Sequence, residues 1–176
     1  MKSVMISIRP EWVHKILDGR KTIEIRKTAP KIATPFKCYI YMSSGGWEWR
    51  DPFSTAVIPP SGVGAMYNGA QKIVAEFVCD RIFPIKVFNN GTIQARYVLN
   101  KSCVPYDDIV MYIGCNRSGF GWHISDLKIY DKPKELHEFN QCHKCELHVG
   151  CKQHEYSCAG EYKLKRPPQS WCYVEE

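Results

Sequence analysis

No stretch of this sequence approaches the ~18 consecutive apolar residues of a membrane-spanning helix. The first residues also lack the apolar centre of a secretory signal. The expectation is a cytoplasmic chain with no membrane partner. No glycine-rich loop closes on Gly-Lys-Ser/Thr, no H-E-x-x-H occurs, and no Ser-His-Asp set is recognisable. P-loop nucleotidases, zinc peptidases and triad hydrolases are therefore disfavoured. Internal repeats and low-complexity tracts are missing too, which argues against solenoids and linkers. The excess of one charge is modest: net +6, with a pI near 8.8. That suits an RNA or nucleotide partner without requiring one.

What is present is enough for one packed core. The chain has 176 residues, of which 44% are hydrophobic and 12% aromatic. This fits a single domain over 1–176. Its densest block lies near the start. Met5 to Arg9 alternates as a short strand, and Pro10 suits the first turn of a helix, where a missing N–H costs nothing. Trp12, Val13, Ile16 and Leu17 form one apolar stripe, so Trp12 is expected in the core. Gly19 stands where a helix C-cap favours positive φ. Thr22 to Arg26 then alternates again as a second strand.

Further on, Lys37 to Met42 reads as a third strand and Lys72 to Val78 as a central one, extended toward Pro84. Between them, 43–71 is rich in glycine and proline and too long for an inert connection. Asn89-Asn90-Gly91 marks a turn. Thr92 to Asn100 has helical character, and Pro105 to Gly114 has acids in its first turn and glycine at its end, as helices do. Gly119 to Tyr130 is another strand region, with a final strand at about 170–175. The fold class expected from this pattern is α+β, a small mixed β-barrel with flanking helices.

Nine cysteines is an odd number, so a complete disulfide framework is impossible. Four of them, Cys142, Cys145, Cys151 and Cys158, are spaced C-x2-C-x5-C-x6-C, with His137, His143, His148 and His154 interleaved. The segment at about 137–160 is poor in aliphatics and departs in composition from the rest. Such spacing suits a tetrahedral thiolate site, and a metal would supply folding energy that the segment cannot draw from a core. The expectation is a small metal-binding insert holding structural Zn2+, with an iron–sulfur cluster as the alternative. The insert is also a candidate surface for a protein partner. Cys38, Cys79, Cys103, Cys115 and Cys172 sit in apolar contexts and read as buried thiols.

The block Ser7-Ile8-Arg9-Pro10 followed by Gly19-Arg20-Lys21-Thr22-Ile23-Glu24-Ile25-Arg26 resembles the ASCH domain of the PUA-like superfamily. Weaker likenesses continue at Lys72 to Phe77, Gly119 to Ile124 and Arg166 to Trp171. The layout is most similar to ASCH proteins of phages and prophages of Gram-positive bacteria. The resemblance implies a PUA-like barrel and an RNA- or nucleotide-binding role. It also implies an alternative, hydrolysis of a modified nucleoside or RNA. One branch of the family uses a Lys nucleophile, a Thr three positions on, and a distant Glu. Here Lys21 is kept, Glu24 replaces the Thr, and Asp107 and Asp108 lie roughly where the distant acid would be.

Lys21 and Glu24 are thus the candidate catalytic pair. A regular pleat, however, places Lys21 with Ile23 and Ile25, opposite Glu24, unless it reaches round from the strand end. The candidate ligand-binding residues are Arg9, Lys21, Thr22, Glu24, Arg26, Trp47, Trp49 and Trp122. The cations suit phosphates, the carboxylate a base amino group, and an aromatic a stacked base. Blander readings stand beside these. Glu24 and Arg26 fit a surface ion pair, Trp122 and Trp171 fit packing in strands, and His14 and His123 fit structural roles.

Overall fold

The computed structural model describes residues 2–44, 55–58, 67–141 and 163–175. Strand β1 (Ser3–Ile8) leads into helix α1 (Pro10–Leu17), then β2 (Ile23–Arg26) and β3 (Phe36–Met42). Short β4 (Ala56–Val57) and β5 (Tyr67–Asn68) precede the long β6 (Lys72–Cys79). Next come β7 (Ile82–Val87), β8 (Ile93–Gln94), helices α2 (Arg96–Ser102) and α3 (Tyr106–Ile113), β9 (Ser118–His123) and β10 (Ser125–Lys134). The described chain ends with β11 (Asn140–Gln141) and β12 (Trp171–Glu175).

The architecture is α+β, and it corrects the barrel expectation. Among the described residues the strands form two principal sheets rather than one closed ring, ordered β10-β6-β3-β1-β12-β11 and β2-β9-β7-β8. Strands β1 and β3 run parallel, joined by the crossover through α1 and β2. The switch between sheets occurs at Asp80-Arg81. There the expected single run from Lys72 toward Pro84 breaks into β6 of the first sheet and β7 of the second.

Alternation explains the layers. Val4, Ile6 and Ile8 of β1 enter a central core with Val13 and Ile16 of α1 and Trp122 of β9, while Met5 points to the opposite side with Tyr39 and Phe139. A third apolar layer packs Ile23 and Ile25 of β2 against Val98, Ile109 and Ile113 of α2 and α3. Those helices lie close because β9 carries glycine. A Cβ on Gly121 would meet Ile23 Cγ2 at 2.9 Å and Val98 Cγ1 at 3.0 Å.

Most local expectations hold to within a residue or two. Gly19 has φ +78°, and Gly114 ends α3 with φ +93°. At the 89–91 turn, Thr92 N donates to Asn90 Oδ1 at 3.0 Å. The helix expected over 92–100 starts only at Arg96, because Ile93 and Gln94 pair with Val87 and Lys86. Cys38 and Cys79 are buried, Cys103 and Cys172 half-buried, and Cys115 exposed, which corrects the expectation for Cys115.

Candidate functional site

The site starts from the order of polar and apolar residues in β2. Ile23 and Ile25 commit one face of the strand to the layer beneath α2 and α3. Glu24 and Arg26 must then emerge on the other face, toward β1 and the chain just before β12. All four residues are buried, so two charges are carried inward. Arg26 answers in three directions. Its Nη2 donates to Ser7 O at 2.6 Å and lies 3.0 Å from Glu24 Oε1, and Nη1 approaches Ser170 Oγ at 3.4 Å. Arg26 Nε has no acceptor among the described residues.

Lys21 settles the parity question. It precedes β2 and is not bound by the pleat; its backbone N donates to Lys15 O at 2.7 Å. The side chain wraps round the strand start. Nζ donates to Ile23 O at 2.9 Å and Ser102 O at 2.7 Å, and lies 3.1 Å from Glu24 Oε2. At 1% exposure it is more buried than Glu24 or Arg26, each at 7%. Glu24 and Arg26 do not form a surface ion pair but belong to an enclosed triad in which one carboxylate serves two cations.

This triad floors a cleft of about 810 Å³. Its walls come from α1, from the stretch around Cys103 to Tyr112, and from Gln169 and Ser170. The C-terminal wall is held against β1: Ser7 Oγ donates to Pro168 O at 2.6 Å, and Ser7 N to Ser170 O at 3.0 Å. Arg9 and Lys15 add cations to the lining, and Glu11 and Asp108 add carboxylates. Two aromatic rings complete it. Trp12 is only partly buried, with Lys15 Nζ 4.4 Å and Lys21 Nζ 5.5 Å from its ring centre. Tyr112 is 39% exposed.

The expected site residues divide clearly. Arg9, Lys21, Glu24 and Arg26 converge on the cleft, whereas Thr22 does not line it. Thr22 instead has its backbone tied to Lys101 O and Ile124 N. Trp122 is fully buried at 0% exposure, edge-on to Phe36 and Trp171, so no face of it is open to a base. Trp12, assigned to the core from its stripe, packs against the central core and also lines the cleft. Trp47 and Trp49 lie outside the described residues, as do Cys142, Cys145, Cys151 and Cys158. Among the described residues no group of three or more His, Cys, Asp or Glu side chains gathers as a metal site.

Sequence reasoning missed Trp12, Tyr112, Lys15 and Ser170 as cleft residues. Tyr112 carried a usable signal, being the residue of α3 one helical turn beyond Asp108. His123 stays away from the cleft, with Nδ1 2.6 Å from Asp80 Oδ1. That contact holds the Asp80 carboxyl below its ordinary pKa.

Comparison with solved structures decides the architecture. The ASCH protein of Zymomonas mobilis superposes with a TM-score of 0.56 at 15% identity, over 99% of this chain and 88% of that one. A tyrosine-to-phenylalanine variant of it gives 0.58 at 14% identity, over 100% and 92%. A serine-to-alanine variant gives 0.57 at 14%, over 99% and 89%. The chain has the ASCH fold. No protein-family model and no curated protein matches the sequence. In this ASCH fold the cleft lies beside β2, between α1 and α3. Among the described residues no helix is long and apolar enough to cross a membrane.

Proposed function

We propose that the cleft binds a nucleotide, free or within RNA, and that binding rather than catalysis is its task. The observation that carries this is a buried cation–carboxylate–cation floor overlooked by two partly exposed aromatic rings. A base needs a flat apolar surface and a few fixed polar groups, and stacking contributes ~1–3 kcal/mol per base. Trp12 and Tyr112 offer the rings, while Arg9 and Lys15 stand where phosphates would approach. The ASCH fold is compatible with this reading.

Hydrolysis through Lys21 is the weaker alternative. A nucleophilic amine needs a free lone pair. Lys21 Nζ is instead already engaged, donating to Ile23 O and Ser102 O and lying 3.1 Å from Glu24 Oε2. The geometry favours Lys21 as a structural cation that sets the position of Glu24.

The test is a titration with mononucleotides, nucleosides and short RNA at low salt, using wild type, Arg9→Ala and Lys21→Arg. Binding that weakens in Arg9→Ala is the expected result. Hydrolysis of an acylated nucleoside that Lys21→Arg abolishes without loss of binding would reverse the ranking. No binding of any of these ligands would remove the reading.

For the cysteine-rich segment we propose one structural zinc held by Cys142, Cys145, Cys151 and Cys158, on the strength of their spacing. Elemental analysis of purified protein should find near-stoichiometric zinc. Iron in its place would favour the cluster, and no metal would dismiss both.

A further inference from the structure

The surface beyond the end of β2 has its own pattern. Lys27 follows Arg26, is exposed, and places Nζ 5.0 Å from the ring centre of Tyr112 in the cleft wall. The next residue, Thr28, accepts through Oγ1 from Trp171 Nε1 at 3.0 Å. Trp171 directly follows the cleft residue Ser170, and its ring lies 5.4 Å from that of Tyr173. Around Tyr173 stand two more exposed lysines. Lys2 Nζ is 4.1 Å from its ring centre, and Lys31 N donates to its hydroxyl at 2.7 Å. The rings of Trp171 and Tyr173 are half-buried, resting on the central core.

We infer that this ridge of Tyr112, Lys27, Trp171, Tyr173, Lys2 and Lys31 is a track for a single-stranded polynucleotide whose terminal or flipped nucleotide occupies the cleft. The inference rests on the nucleotide reading above and sharpens it from a free nucleotide to a strand. Aromatic faces interleaved with cations are the chemistry that holds single strands, because every base has a π-face and every linkage a negative charge. Two features argue beyond a basic patch. The rings and lysines are joined by successive contacts, Lys27 to Tyr112, Thr28 to Trp171, Trp171 to Tyr173, and Tyr173 to Lys2 and Lys31, and the series begins at the cleft wall.

The decisive experiment measures affinity at several salt concentrations for UMP, for uridine oligoribonucleotides of rising length, for the matching oligodeoxynucleotides, and for inorganic polyphosphate. Affinity should rise at least about tenfold from UMP to the longer strands. The combined variant Lys2→Ala, Lys31→Ala changes only exposed side chains remote from the cleft rings, so its fold should survive. It should lose that gain while keeping UMP affinity, and its salt slope should fall by roughly 0.7 for each phosphate contact removed. Tyr173→Leu keeps apolar bulk but removes a stacking ring and should weaken strand binding severalfold.

UMP binding without any gain from length would overturn the track and leave the cleft reading intact. So would a combined variant that binds long strands as wild type does. Polyphosphate binding as tight as RNA, with Tyr173→Leu silent, would reduce the ridge to a general basic patch. Failure of UMP and every strand to bind would remove both proposals. RNA and DNA of equal affinity support the track and show that it does not read the 2′-hydroxyl; a preference for RNA supports it and adds that contact.

Discussion

Two groups of charges stand within nine residues of each other, and they behave as opposites. Asp18 and Arg20 face each other across the Gly19 turn, with side chains 40% and 65% exposed. Arg20 Nε donates to Asp18 Oδ2 at 2.7 Å, and the backbone N of Arg20 donates to Oδ1 at 3.1 Å. Lys21, Glu24 and Arg26 make contacts of similar length, yet all three are buried. Distance alone does not separate the two groups; solvent does. Water screens the outer pair and competes for its partners, so it adds little to stability. In the triad each charge has left water and depends on its partners. A fold carries such a group either to fix geometry or to present it to a ligand, and here the triad is the floor of the cleft.

The largest predicted effect is therefore Glu24→Gln. It leaves Lys21 and Arg26 buried without their shared countercharge, and removing one member of a buried ion pair costs about 3–5 kcal/mol. Denaturant unfolding of wild type and variant measures this directly. A loss below about 1 kcal/mol would show that water reaches the triad and that the contrast with Asp18–Arg20 is only apparent.

The apolar face of the same strand gives a second, smaller break. Gly121→Ala puts a methyl group against Ile23 and Val98, at 2.9 and 3.0 Å. Overpacking of this kind costs typically ~1–3 kcal/mol. Because α2 also supplies Ser102 O, an acceptor for Lys21 Nζ in the cleft floor, nucleotide affinity should fall with stability. Unchanged stability would mean that α2 can shift outward freely, and the layer beneath β2 would then be looser than the layer above.

Trp12→Leu tests the cleft while leaving the triad's hydrogen bonds and ion pairs in place, removing only the ring that lies 5.5 Å from Lys21 Nζ. Leucine keeps apolar contact with α1's surroundings but removes the stacking ring, so binding should weaken by ~1–3 kcal/mol beyond any loss of stability from the smaller side chain. Calorimetric titration with a mononucleotide reads the loss. Equal affinity in the variant would shift the stacking role to Tyr112 alone.

These residues also show where the sequence was legible. The run from Ser7 to Arg26 could be read almost residue by residue, since β1, α1, the Gly19 turn and β2 are fixed by local periodicity and capping. Lys21 could not, because the pleat rule applies only inside a strand, and the fold uses its long side chain to cross from the strand end to Glu24. Trp12 was placed only in part, packing against the core as its stripe implied while also lining the cleft, for a related reason. A helical stripe tells which residues share a face, not which of them lie at the edge of that face where a cleft opens. Trp122 shows the reverse, an aromatic in a Gly-flanked strand whose complete burial depends on Phe36 and Trp171, far away in sequence. The break at Asp80-Arg81 has no strong local breaker, so the change of sheet is tertiary. The split of the strands into two sheets was hidden with it.

The smallest predicted effect belongs to the outer pair, and it completes the contrast. Asp18→Asn keeps an oxygen for the backbone N of Arg20 and removes only the charge. The hydrogen bond from the Arg20 side chain is the main reason the Asp18 carboxyl sits below its ordinary pKa; partial burial pushes the other way, and the Arg20 charge adds a further lowering. A carboxyl whose pKa is lowered by folding contributes stability above its unfolded pKa and loses it as pH falls through the folded value. The wild-type advantage over Asp18→Asn should thus be slight at neutral pH and absent once Asp18 is protonated in acid. Added salt should shrink it at neutral pH as well, because the pair is open to solvent. Unfolding curves of the two proteins across pH and salt check this. A neutral-pH loss as large as that of Glu24→Gln would mean that exposure does not separate the two groups, and the assignment of the triad as a distinct, enclosed floor would fall with it.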